Sequence, residues 1–300
     1  MKSVLPLLWL SLVSCALPAQ AQSCEGGLYL NPQVIRGEGT AQSFTALKDL
    51  IDFVRPTGLS VTPVVNIKET QDVLTAVKKP NPPCWIYANP TVGLSSGYRP
   101  AAVNTTSIQA AVLILADLGT VKDGKPVDLK DLSPDNQSKV IAKLKTTSCF
   151  GIKSGVTTAL VSSEKLCGTV VEVLPQQGLG QGFLPTKAAV HWQADRWAGV
   201  ITRLQTAQAT SLLSHFGSSE QVHLAQLVIV PTHNASWGYG IYVHPDAPAE
   251  SVRRAASQFI ALKTSDPSLL RSLDLGAKYE FVTPPDNAVQ AMKKVLAISP

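Results

Sequence analysis

The sequence predicts an α/β fold, with helices laid on the faces of mostly parallel sheets. Short apolar runs alternate with stretches of helical periodicity along most of the chain, and polar breaks near 120 and 231 interrupt that pattern. The 300 residues suffice for one large unit or for two lobes, at roughly 100–200 residues per domain.

Gly27–Pro32 (GLYLNP) has the length and composition of a strand. Ser43–Val54 carries Phe44, Leu47, Leu50, Ile51 and Val54 at helical spacing, and Pro56 and Gly58 end it. Leu59–Val65 reads as a strand, Thr70–Lys78 as a helix with Val73, Leu74 and Val77 on one face, and Cys84–Ala88 as a third strand. This order is the βαβαβ pattern of a parallel sheet, and Gln109–Ala116 adds a further core element. The polar stretch 120–138, with a turn at Asp123-Gly124-Lys125-Pro126, marks a crossing into a second α/β series. That series has a helix at Gln137–Leu144, a strand at Ser148–Ile152, a helix opening after Ser154, a strand at Thr169–Leu174 and apolar runs to Val230. Pro231–Gly240 breaks the pattern again, Ile241–Val243 resumes as a strand, and Glu250–Leu262 and Asn287–Leu296 close the chain as helices.

Composition narrows the function classes. At 45% hydrophobic and 16% charged the chain is built to bury a core. The net charge of +5 is spread out, with no basic block longer than a pair such as Lys78-Lys79, which argues against a nucleic-acid binder. Residues 1–21 have the form of a secretory signal peptide: Lys2, an apolar run from Val4 to Val13, and Ala19-Gln20-Ala21 before the cleavage point. Leu12-Val13-Ser14-Cys15 offers an alternative, lipidation at Cys15 as in bacterial lipoproteins. Either route exports the protein. Cleavage after Ala21 leaves Cys24, Cys84, Cys149 and Cys167, an even set in an oxidising compartment. Spacing favours a local Cys149–Cys167 bridge, leaving Cys24–Cys84. A zinc site is disfavoured, because there is no Cys-x-x-Cys and no His close to a Cys.

Ser154-Gly155-Val156-Thr157-Thr158 follows a strand and opens a helix, which gathers free backbone N–H groups and hydroxyls at the positive end of a helix dipole. That arrangement suits an oxyanion; an ordinary Ser N-cap is the plainer alternative. Enzyme motifs are missing: no Gly-x-Ser-x-Gly, no His-Glu-x-x-His and no Walker loop. The cluster Gly178-Leu179-Gly180-Gln181-Gly182-Phe183 lacks the last glycine of a dinucleotide fingerprint and reads as a loop. His191, His215, His223, His233 and His244 are not paired at helical or strand spacing. The sequence therefore predicts no enzyme, metal or cofactor.

Four segments together resemble the periplasmic phosphate/phosphonate-type (PhnD-like) solute-binding proteins of ABC transporters: ALKDLIDFVRPTGLSVTPVV (46–65), CWIYANPTVGLSSGYRPAA (84–102), GIKSGVTTAL (151–160) and WGYGIYVHPDAPAESVRRAASQFIAL (237–262). The resemblance implies the two-lobed type II periplasmic-binding-protein fold, with two crossover strands as hinge and a ligand in the cleft. Lobe 1 would hold residues 22–118 and 232–300, and lobe 2 residues 119–231. It also implies a monomer in the periplasm, with a small anionic solute and an inner-membrane ABC permease as partners. A sensor domain or adaptor of the same fold, presenting its liganded surface to a signalling partner, is the alternative, as is a different small solute.

In such a fold the cleft is lined at the carboxyl ends of parallel strands. This points to Gly39 and Thr40 after the first strand and to Tyr87, Asn89, Thr91 and Tyr98 around the third, beside Ser154, Gly155, Thr157 and Thr158 in lobe 2. Asn89 could equally be a turn residue before Pro90, and Tyr87 a strand aromatic. Arg36 and Arg99 are candidate charge partners, and Trp237 and Tyr239 are expected to pack at the hinge. Thr206–Ser211 has no carboxylate where aminophosphonate binders of the family hold the ligand amine. A phosphate-like or other small anion therefore fits better than an aminated one.

Overall fold

The computed structural model describes residues 24–30, 52, 61–63, 69–105, 107–119, 126–153, 155–173, 199–203, 226–272 and 280–296. They form two six-stranded sheets. The first contains β1 (Glu25–Leu30), β2 (Val61–Pro63), β3 (Pro83–Ala88), β4 (Arg99–Asn104), β11 (Gly240–Val243) and β12 (Phe281–Val282), in the order β12-β4-β11-β3-β1-β2. The second contains β5 (Ile108–Ala116), β6 (Val127–Asp128), β7 (Ser148–Ile152), β8 (Thr169–Val173), β9 (Gly199–Arg203) and β10 (Gln226–Ser236), in the order β6-β10-β5-β9-β7-β8. The sheets are mixed rather than mostly parallel. Parallel pairing holds for β1 with β2 and β3, for β7 with β8 and β9, and for β6 with β10. The strands β4, β5, β10 and β11, on either side of the two crossings, pair antiparallel.

Around the sheets lie α1 (Glu69–Ala76), α2 (Pro90–Ser95), α3 (Pro134–Leu144), α4 (Val156–Ser163), α5 (Ala249–Ser265), α6 (Pro267–Ser272) and α7 (Asp286–Val295). Their ends follow local chemistry. Asn89 Oδ1 accepts the Val92 N–H at 3.0 Å and Pro90 opens α2; Ser133 Oγ and Pro134 do the same for α3. At the far end of α4, Lys165 takes a left-handed conformation (φ 51°) and donates to Ser162 O, while Leu166 donates to Val161 O, closing the helix as a Schellman motif. The expected helix over Ser43–Val54 lies outside the described residues except for Asp52.

The chain changes sheet between Asn104 and Ile108 and again between Ser236 and Gly240. The sequence reading places these crossings near 119 and 231. In the structure β5, expected in the first lobe, pairs with β10 and β9 in the second sheet. The apolar run IQAAVLILA is buried along nearly its whole length, as a central strand requires. One apolar cluster joins α5 to one face of the first sheet through Trp85, Tyr87, Ile241, Phe259 and Phe281. A second runs from Ile86, Val92 and Tyr242 through Val112 and Ile114 to Leu160, Val161 and Met292, and so is shared between both sheets. The disulfides pair as spacing suggested, Cys24 with Cys84 and Cys149 with Cys167.

Candidate functional site

The two crossings are tied together. Asn104 donates its N–H to Tyr239 O at 2.9 Å, and Gly238 donates back to Asn104 O at 3.1 Å. Trp237 Nε1 donates to the Tyr242 hydroxyl at 2.8 Å. Burial pushes the Tyr242 phenol far up, against the smaller opposing effect of that bond, so it stays neutral. The Tyr242 ring lies against Gly93 of α2, where a Cβ would overlap it. Trp237 thus packs at the hinge, as expected, and Tyr239 does too, stacked on Tyr87 with ring centroids 5.7 Å apart.

On either side of this hinge a helix starts at the carboxyl end of a parallel-paired strand: α2 after β3, and α4 after β7. The two helices are in contact. Gly155 caps α4 in an extended conformation (φ −76°, ψ 140°), and among the described residues no side-chain cap bond reaches the first amides of the helix. Thr158, in that first turn, is fully buried, and its Oγ1 has no hydrogen-bond partner among the described residues. Gly151, near the end of β7, makes room for this hydroxyl, since a Cβ there would overlap it. Thr91, in the first turn of α2, also has a buried Oγ1 without a partner among the described residues. A buried hydroxyl left unsatisfied costs about 1–3 kcal/mol. Each of these hydroxyls lies in the first turn of one of the two touching helices, one from each sheet.

The other sequence-predicted residues divide. Thr157 is half-buried in the same first turn as Thr158. Asn89 is the N-cap of α2. Tyr87 lies in the α5-side cluster, whereas its strand neighbours Ile86 and Ala88 belong to the cluster that holds α2 and α4. Tyr98 donates its hydroxyl to Pro83 O at 2.6 Å, at the amino end of β3 and so away from the carboxyl ends. Arg99, beside it, donates to Pro245 O at 3.1 Å. Ser154, Gly39, Thr40 and Arg36 lie outside the described residues, as do His191, His215 and His223. Among the described residues no group of three His, Cys, Asp or Glu is placed to hold a metal.

One group gave no sequence signal. Glu164, at the end of α4, reaches a bulge in β10, where its carboxylate accepts the N–H groups of His233 at 2.9 Å and Asn234 at 2.7 Å and the Asn234 side-chain amide at 3.0 Å. Burial pushes this carboxyl up, but the hydrogen bonds from Asn234 and His233 outweigh it and hold the group below its ordinary value. Its stabilising contribution is therefore complete above the unfolded carboxyl range and is lost as pH falls through that range to the lower folded value. Glu164→Ala should cost about 2 kcal/mol at pH 7, and the gap from wild type should close as pH is lowered below about 4. Chemical unfolding at pH 7 and in acid checks both; an equal gap at both pH values contradicts the assignment.

No protein-family model and no curated protein matches the chain. Solved structures do. XAC2383 from Xanthomonas citri bound to chloride ion is 11% identical over 92% of this chain and 97% of its own, with a TM-score of 0.57; the same protein bound to ATP gives 9%, 91%, 95% and 0.58. PhnD1 from Prochlorococcus marinus in complex with methylphosphonate is 12% identical over 90% of this chain and 96% of its own, with a TM-score of 0.52. At these identities the likeness is one of fold. With its two sheets, two crossings and near-complete coverage of these neighbours, the chain has the two-lobed periplasmic-binding-protein fold.

Proposed function

We propose that the protein is an exported solute-binding protein that captures a small oxyanion between its lobes and delivers it to an ABC permease. The observation that carries this reading is the first turn of α4, which among the described residues has no side-chain cap and holds the buried Thr158 hydroxyl without a partner. Residues 155–158 would supply backbone N–H groups, the Thr157 and Thr158 hydroxyls would donate, and the Thr91 hydroxyl would donate from the opposite lobe. The sequence adds Ser154, Gly39 and Thr40 to the proposed site; all three lie outside the described residues. A ligand held from both sides favours the closed arrangement by its differential affinity for it. The division at the hinge, lobe 1 from β1–β4 and β11 onward and lobe 2 from β5–β10, follows the sheet changes. Two disulfides suit the periplasm, and a ligand site made of hydroxyls and amides suits a phosphate- or phosphonate-like ion. No nucleophile or acid–base pair enters the reading.

A thermal-shift screen of the purified protein against phosphate, phosphite, methylphosphonate, aminoethylphosphonate, sulfate, short carboxylates and amino acids tests it. One phosphorus oxyanion at about 100 times its Kd should add about 2.7 kcal/mol of stability, and aminoethylphosphonate should add less. No shift with any oxyanion contradicts the reading.

A further inference from the structure

We infer that a second ligand site, independent of the cleft, lies between α7, the start of α5 and the amino end of β4, and that it takes a small organic anion with an apolar body. A cavity of about 450 Å³ opens there, within the range of roughly 300–1,000 Å³ usual for small-molecule sites. Leu94, Val243, Val252 and Val289 give it apolar walls. Arg99, Arg253 and Lys293 line it, against one carboxylate, Asp286. Two of the cations are already engaged: Arg99 Nη2 donates to Pro245 O at 3.1 Å, and Arg253 Nη2 donates to Glu250 at 2.8 Å. Lys293 is not. It is half-buried, and among the described residues no hydrogen bond or ion pair reaches its ammonium.

An ammonium at the edge of a concave apolar wall acts in a lower effective dielectric than one on a flat surface, and it attracts an anion accordingly. The walls then favour an anion with a hydrocarbon body over a bare, strongly hydrated ion. The cavity is separate from the proposed cleft site. Tyr98, which lines it, is bonded to Pro83 at the first residue of β3, whereas α2 starts beyond the last.

The probe is 8-anilinonaphthalene-1-sulfonate, an aromatic body with one sulfonate, titrated into the purified folded protein and competed with hexanoate. We expect one saturable fluorescent site that hexanoate empties. Lys293→Glu should weaken it at least tenfold, Val289→Phe should abolish it by filling the cavity, and Asp286→Asn should tighten it several-fold. Thr158→Val should leave it unchanged, which separates this site from the cleft. Dye binding that does not saturate, that hexanoate does not compete for, or that is the same in Lys293→Glu and Asp286→Asn as in wild type overturns the inference; the gain expected from Asp286→Asn keeps it falsifiable if Val289→Phe fails to fold.

Discussion

Removing the Cys24–Cys84 bridge should lower the stability of the protein by about 4 kcal/mol, the largest effect expected of any change considered. The bridge closes a loop of 60 residues, and a cross-link over that length restricts the unfolded chain more than one over the 18 residues between Cys149 and Cys167, for which about 3 kcal/mol is expected. Its native-state role points the same way. It pins the start of β1 to β3, and β1 in turn holds β2 in the sheet. Cys84 is buried in the α5-side cluster, and Cys24 packs against that cluster. Guanidinium unfolding of a Cys24→Ala/Cys84→Ala variant beside a Cys149→Ala/Cys167→Ala variant checks the size and the order of the two effects. Equal losses, or a larger loss for the shorter loop, would contradict the account.

Gly93→Ala should cost about 2–4 kcal/mol, although alanine is the better helix former by about 1 kcal/mol. The added methyl overlaps the Tyr242 ring, and that ring cannot step aside. It is fully buried, its hydroxyl is held by Trp237, and its strand β11 is paired on both sides. Overpacking of a well-filled core costs about 1–3 kcal/mol, more when nothing can yield. Trp237 reports directly on this contact, so its fluorescence should shift in the variant as the melting temperature falls. A variant that melts with wild type would mean that α2 is not seated on Tyr242.

These two sites also show what was legible in the sequence. The strand–helix–strand units from β2 to β3 and from β7 to β8 were, because short apolar runs there are separated by helical spacing. The crossing strands were not. IQAAVLILA announces a buried strand, but nothing local says which sheet receives it. In the opposite sense His233 and Asn234 look like a break, yet β10 runs through them, because a bulge turns them toward Glu164. The strand β4 contains Pro100, which a regular ladder excludes; the shift in its pairing with β11, where Ile241 faces Ala102 and Tyr242 faces Pro100, accommodates it. With six residues and a glycine, α2 is too short to show a period. In the candidate site the hydroxyls after β7 stood out because small polar residues between a strand and a helix are a local pattern. Tyr98 and Arg99 misled for a related reason: nearness in sequence to the end of β3 does not put them there, since α2 carries the chain back to the amino end of that strand.

Titration calorimetry of a phosphorus oxyanion into wild type, Thr158→Val and Thr91→Val/Thr158→Val tests the central claim most directly. Valine keeps the shape and removes the partnerless hydroxyl. Without ligand, Thr158→Val should therefore be at least as stable as wild type, by up to about 1–3 kcal/mol. Binding should move the other way, with affinity falling at least tenfold in the single variant and further in the double, since a hydrogen bond to a charged acceptor contributes about 1.5–3 kcal/mol. A more stable protein that has lost its anion is the predicted result. Undiminished binding in the double variant, or a loss of stability without ligand, would mean that these hydroxyls serve the core and that the oxyanion site lies elsewhere.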